Sequence, residues 1–243
     1  MLGASRTVAR VDDDRPGTEV LMVAGTTDSR LARRVALGCA VAAGLAFVVL
    51  YLAAIRTRSG QEADIRLYTR AQIGDGELDA VAGTLRVLVP AGLAVLAAGL
   101  GLVALVRRRW APIVSAAAIV VLSVGLDRAL RDVVLDRPYL GDLGDTHNTL
   151  PSGHVGATTA LAVAVVVLWP WRWRVVPILL AVLATGVVSA ATVVTRTHRP
   201  SDALGAVLVV VAITAVVAWA SSRRRDRPGG DAPPGGHPAE STG

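Results

Sequence analysis

The sequence predicts an all-α fold: a polytopic membrane protein whose six transmembrane helices pack as a bundle. Three observations predict it. Of the 243 residues, 53% are hydrophobic and 18% charged, and the mean hydropathy is +0.53. A soluble domain carries about 25% charged residues, so a soluble globular fold is excluded. The apolar residues form long Ala/Val/Leu blocks instead of alternating with polar ones, which excludes a transmembrane β-barrel and a disordered chain. Finally, every basic side chain is arginine, and the arginines cluster at the ends of these blocks. That placement orients membrane helices; it is not a nucleic-acid-binding surface.

Residues 1–34 mix Arg, Asp, Gly and Thr without a sustained apolar run, and read as a polar, disordered tail. The apolar block comes too late for a cleavable signal peptide, so the first span is a retained anchor. Six blocks approach the ~20 residues that a helix needs to cross a bilayer. They are Val35–Ile55, Val87–Val106, Trp110–Leu126, Val155–Trp169, Val175–Thr195 and Ala203–Ala220, and none contains a charge. The third and fourth are short but run into polar segments that extend them at the membrane surface. Between the first two, Glu77–Arg86 reads either as a surface helix leading into the second span or as a solvated loop. Residues 223–243, rich in Pro, Gly and Arg, read as a disordered tail. The membrane domain is therefore 35–222. Cys39 is the sole cysteine, so no intramolecular disulfide forms.

Arginines cluster at 33–34, 107–109, 172–174 and 223–225, that is, at every second connection. Under the positive-inside rule these connections and both termini are cytoplasmic in a multi-pass cell-membrane protein, and the other three connections face out.

Two outward connections concentrate polar residues. One runs from Asp127 to His154, the other from Thr195 to Asp202, and together they hold three of the four histidines. In Pro151-Ser152-Gly153-His154 the proline suits the first helical position, which predicts a helix start at Pro151 with its free N–H groups facing outward. Gly153 lets an anion approach the backbone, Ser152 adds a hydroxyl, and the helix dipole favours negative charge. Arg199-Pro200-Ser201-Asp202 opens the sixth span in the same way. His198 stands four residues before Asp202, a spacing at which a carboxylate orients an imidazole as nucleophile or base. Arg131, Arg137, Arg196 and Arg199 read either as phosphate ligands or as anchors for lipid headgroups. His147, Asp142 and Asp145 read as loop residues.

With those residues in place, the chain resembles the type 2 phosphatidic acid phosphatases, six-helix membrane enzymes related to vanadium haloperoxidases. The family's signature is a Lys with a later Arg-Pro, then Pro-Ser-Gly-His, then an Arg followed by His, three residues and Asp. The second part is intact at 151–154, and the third keeps His198 and Asp202. The resemblance covers roughly Val35 to Ala220. It implies that His198 forms a phosphohistidine, that Asp202 orients it, and that His154 protonates the leaving oxygen and later activates water. Ser152, Gly153, Arg131, Arg137 and Arg196 would hold the phosphoryl oxygens, without metal or other cofactor.

Two positions depart from the signature. The family's first cation falls at Leu130, and here the nearest is Arg131, followed by Arg137-Pro138. The third motif's arginine falls at Thr192, and here Arg196 is offered, about one helical turn or roughly 6 Å away. The implied function is hydrolysis of a lipid phosphate or isoprenyl diphosphate at the extracytoplasmic face. The alternative is a weakened relative that binds phosphorylated lipid or a partner without turnover; phosphotransfer to a hydroxyl acceptor would use the same residues. A transporter is disfavoured because no span carries an ionisable group.

Overall fold

The computed structural model describes residues 16–71, 76–141 and 147–225. The far ends of both expected tails lie outside these residues, as do Asp142 and Asp145. Among the described residues all regular structure is helical. α1 (Pro16–Leu50) continues through a π-helical turn, Tyr51–Ile55, and α2 spans Arg58–Arg70. α3 (Gly76–Val106) and α4 (Trp110–Ala129) follow, and α4 ends in a second π-helical turn, Leu130–Val134. α5 (Gly153–Leu168), α6 (Val175–Val194) and α7 (Pro200–Arg225) complete the bundle.

Five of these helices are long and apolar enough to cross a membrane, namely those containing 30–55, 76–106, 110–134, 175–194 and 200–223. The sixth, α5, has 16 residues and covers about 24 Å of a hydrocarbon core about 30 Å thick. It sits in the middle of the bundle, against α3, α4, α6 and α7. Such a central helix needs small residues, because lipid gives no hydrophobic drive for helices to associate and close packing must do the work. Gly156, Ala160 and Ala164 supply them at four-residue spacing, all buried. Around this axis lie clusters built on Val155–Val188–Ala206 and on Ile119–Ala160–Val210. The large apolar side chains, among them Val95, Val121 and Val182, point outward. The chain is thus a multi-pass membrane protein with a small-residue core.

Of the two readings of Glu77–Arg86 the helical one holds: it leads into the second span as the first turns of α3. Two sequence expectations change. α1 starts at Pro16, well before Val35, so helix occupies residues read as polar tail. The helix expected to start at Pro151 starts at Gly153. Ser152 has an extended backbone and takes the capping position, so Pro151 lies one residue outside the helix. By contrast, Pro200 does open α7. The sequence also gave no sign of α2, a polar helix laid across the end of the bundle.

Candidate active site

The site is organised around the first turn of α7. There the carboxylate of Asp202 is fully buried. One oxygen accepts from the Thr149 hydroxyl at 2.6 Å and from the Arg199 backbone N–H at 2.9 Å. The other faces the Arg137 guanidinium at 3.3 Å, an ion pair sealed from solvent. His198 Nδ1 stands 3.6 Å from Oδ2, within ion-pair reach but beyond hydrogen-bond length. The Asp202 carbonyl accepts from the N–H of Ser152 at 3.0 Å, tying the start of α7 to the start of α5.

This tie brings the two imidazoles to one place. His154 and His198 line the same cavity of about 520 Å³, together with Arg131, Gly153, Thr149 and Pro90. Arg131 reaches it from the π turn that ends α4, a geometry with an extra residue per turn that changes the direction in which side chains leave the helix. Its Nη1 lies so close to Gly153 that a Cβ there would come within 2.9 Å. A Cβ at 153 would push the guanidinium off the first turn of α5, which glycine lets it rest on. The first N–H groups of α5 lack intrahelical acceptors, so that cavity wall is electropositive from backbone and side chain together.

Other expected residues are placed differently. Arg137 is buried on Asp202 and lines an adjoining cavity of about 600 Å³ with Arg131 and His147. Ser152 is fully buried and does not line the 520 Å³ cavity. Arg196 lines neither cavity. It is exposed in a left-handed turn (φ 58°), and its carbonyl accepts from the Tyr68 hydroxyl. The position of the family's third arginine holds Thr192, fully buried. Its carbonyl accepts from the backbone N–H groups of Thr197 and His198, so it shapes the turn that presents His198 but brings no cation.

Several residues of the site were not singled out in the sequence. The Asn148 side-chain amide is shared among the carbonyls of Arg131, Leu135 and Leu150, and so clasps the π turn to the Pro-Ser-Gly-His segment. His147, which reads as a loop residue in the sequence, lines both cavities. From α2, Gln61 donates to the Pro138 carbonyl at 3.1 Å. Asp64, also from α2, accepts from the Ser201 N–H at 3.1 Å and the Ser201 hydroxyl at 2.6 Å. Asp64 thus caps α7 from a different helix, one residue from Asp202. Burial pushes its carboxyl above the ordinary carboxylate range, against the pull of the two Ser201 hydrogen bonds. α2 is therefore a strap that ties Pro138, the Arg196 turn and the start of α7 together. Only a buried acid among polar helix residues could have hinted at this, and such a residue looks solvated in sequence.

Residues 127–226 match the family model described as the PAP2 superfamily. That segment of the chain is similar to the superfamily. The matched PAP2 segment holds every motif residue named above, from the α4 end to α7. Among solved structures, the fold is similar to that of the first transmembrane PAP2 type phosphatidylglycerolphosphate phosphatase from Bacillus subtilis. The TM-score is 0.55 at 21% identity, over 74% of this chain and 94% of that one. No curated protein sequence matches. The match over 127–226 and the membrane fold support a phosphatase kind of function.

Proposed function

We propose that the protein hydrolyses a lipid phosphate at the extracytoplasmic face through a phosphohistidine. The observation that carries this reading is the meeting of His154 and His198 on one cavity whose wall is Arg131 and the start of α5. With the Nδ1 proton directed at Asp202, His198 keeps the Nε2 lone pair for attack on phosphorus. The P–O bond to the lipid breaks, and His154 gives its proton to the departing oxygen. Water then attacks the phosphohistidine, His154 takes a proton from it, and inorganic phosphate leaves with His198 restored. The transition state spreads charge over the equatorial oxygens, where Arg131 and the α5 N–H groups act as fixed donors. Arg137, buried on Asp202, positions that carboxylate.

The arginine clusters at 107–109 and 172–174 fall at the end of the bundle away from the site, which supports an outward-facing site under the positive-inside rule. The site at the ends of the spans suits a substrate held in the bilayer by an acyl or isoprenyl tail. The test is phosphate release by purified protein from a panel of such lipids, beside His198→Ala. Release by the unmodified protein, lost by at least about 10³-fold in the variant, is expected. Undiminished release in the variant would falsify the mechanism. Lipid binding without any release favours the non-catalytic alternative.

A further inference from the structure

The cavity has one wall that the motifs do not supply. Pro90 of α3 and Ala157 of α5 both line it. Val89 packs against the cluster that holds Val155, and Leu100 against the cluster that holds Ala164 and Leu168, so α3 and α5 run in the same direction. One turn back from Pro90 and Ala157, residues three and four apart share a helix face. Those residues are Arg86 and His154, which the register puts at the same level.

Three further facts concern Arg86. It is partly buried, and its Nε is enclosed with no hydrogen-bond partner among the described residues. Its charge acts on the His154 imidazole together with those of His198 and Arg131. Pro90 has no N–H to give the Arg86 carbonyl, which loosens the helix at this point of the cavity wall. An arginine turned into a membrane bundle is costly and by default marks a site for an anion.

The position fits one part of the substrate. Arg131 and the α5 start lie around the phosphoryl group to be transferred, while His154 marks the leaving oxygen. Arg86, beside His154, lies on the leaving-group side. A glycerol carbon offers nothing to a guanidinium, whereas a second phosphate accepts two hydrogen bonds from it. We propose that Arg86 binds an anionic phosphate in the leaving group, so that the site favours lipid diphosphates over lipid monophosphates. Attack of His198 on the terminal phosphorus then breaks the bond to the bridging oxygen. The inner phosphate departs with that oxygen and the His154 proton, and water releases inorganic phosphate from His198. This inference rests on the phosphatase reading for its chemistry but not for its binding.

The experiment measures kcat/KM and vesicle binding for a long-chain prenyl diphosphate and the matching monophosphate, each in phosphatidylcholine vesicles. The unmodified protein, Arg86→Gln and Arg86→Lys are compared. The diphosphate-to-monophosphate ratio should fall about 10- to 100-fold in Arg86→Gln, the worth of one charge-assisted hydrogen-bonded contact, and recover in part in Arg86→Lys. A ratio that is unchanged, or lost equally for both lipids, overturns the assignment. If the unmodified protein releases phosphate from neither lipid, the phosphatase reading fails and the binding ratio alone decides: a drop in Arg86→Gln supports the proposal, and no drop overturns it.

Discussion

Two corners of the cavity handle positive charge in different ways. At the end of α4 a π turn directs Arg131 onto Gly153, so a guanidinium displaced by one residue from the family's spacing still reaches the start of α5. At the end of α6 the chain offers Thr192, wholly buried, and the nearest arginine, Arg196, is exposed in a left-handed turn. A helix can absorb a one-residue offset by changing its pitch. It cannot recreate a missing side chain, and any replacement charge must come from another helix, as Arg86 on α3 does in the proposal above.

Substitutions sharpen that contrast. The largest effect belongs to Arg131→Gln, expected to lower kcat/KM by about 10²–10³-fold, the usual cost of removing one fixed donor from a transition state. A loss below about 5-fold would mean that the π turn does not deliver the catalytic cation. Gly156→Ala comes next. The added methyl would overlap the buried Asp127 carboxylate, with Ala206 behind it, so that side chain must be displaced or α4 and α5 must separate. Overpacking of this kind costs about 1–3 kcal/mol. The expected result is a lowered melting temperature in detergent with activity falling in parallel.

Asp64→Ala is intermediate and separates a positioning role from a catalytic one. It leaves the Ser201 N–H and hydroxyl without their acceptor, at about 1–3 kcal/mol of stability, and should lower kcat while leaving KM nearly unchanged. The pH dependence has a definite sign. Burial raises the Asp64 carboxyl above 3.8, so its ionised form is disfavoured in the folded protein and its stabilising contribution is lost as pH rises from there. Asp64→Asn lacks that titration, so the melting-temperature gap between it and the unmodified protein should narrow as pH rises. A gap that widens contradicts the burial argument. The smallest effect is that of Arg196→Ala, expected to change kcat/KM by less than about 3-fold because the residue lines neither cavity. A loss comparable to that of Arg131→Gln would restore it as the third cation.

The helices and the Pro-Ser-Gly-His and His198–Asp202 segments were legible in the sequence because both are local. Apolar blocks announce helices, and Pro-Ser-Gly-His and His198–Asp202 carry their chemistry within four or five residues. The start of α5 was misplaced by two residues because proline also favours the position just outside a helix whose cap is serine. What could not be read is the set of long-range ties. Asp64 and Ser201 are 137 residues apart, and the Arg86–His154 juxtaposition depends on the register of two helices that no local pattern fixes. Thr149 and Asn148 look like ordinary loop residues until the fold brings them to Asp202 and to the π turn.

The most direct measurement traps the intermediate. Purified protein mixed with a lipid phosphate is quenched in alkali, which preserves phosphohistidine, and its peptides are mapped by mass spectrometry. A phosphoryl group on His198, retained longer when His154 is replaced by alanine and absent from His198→Ala, is the predicted result. Phosphate released with no phosphoryl group on His198 at any quench time would contradict the account.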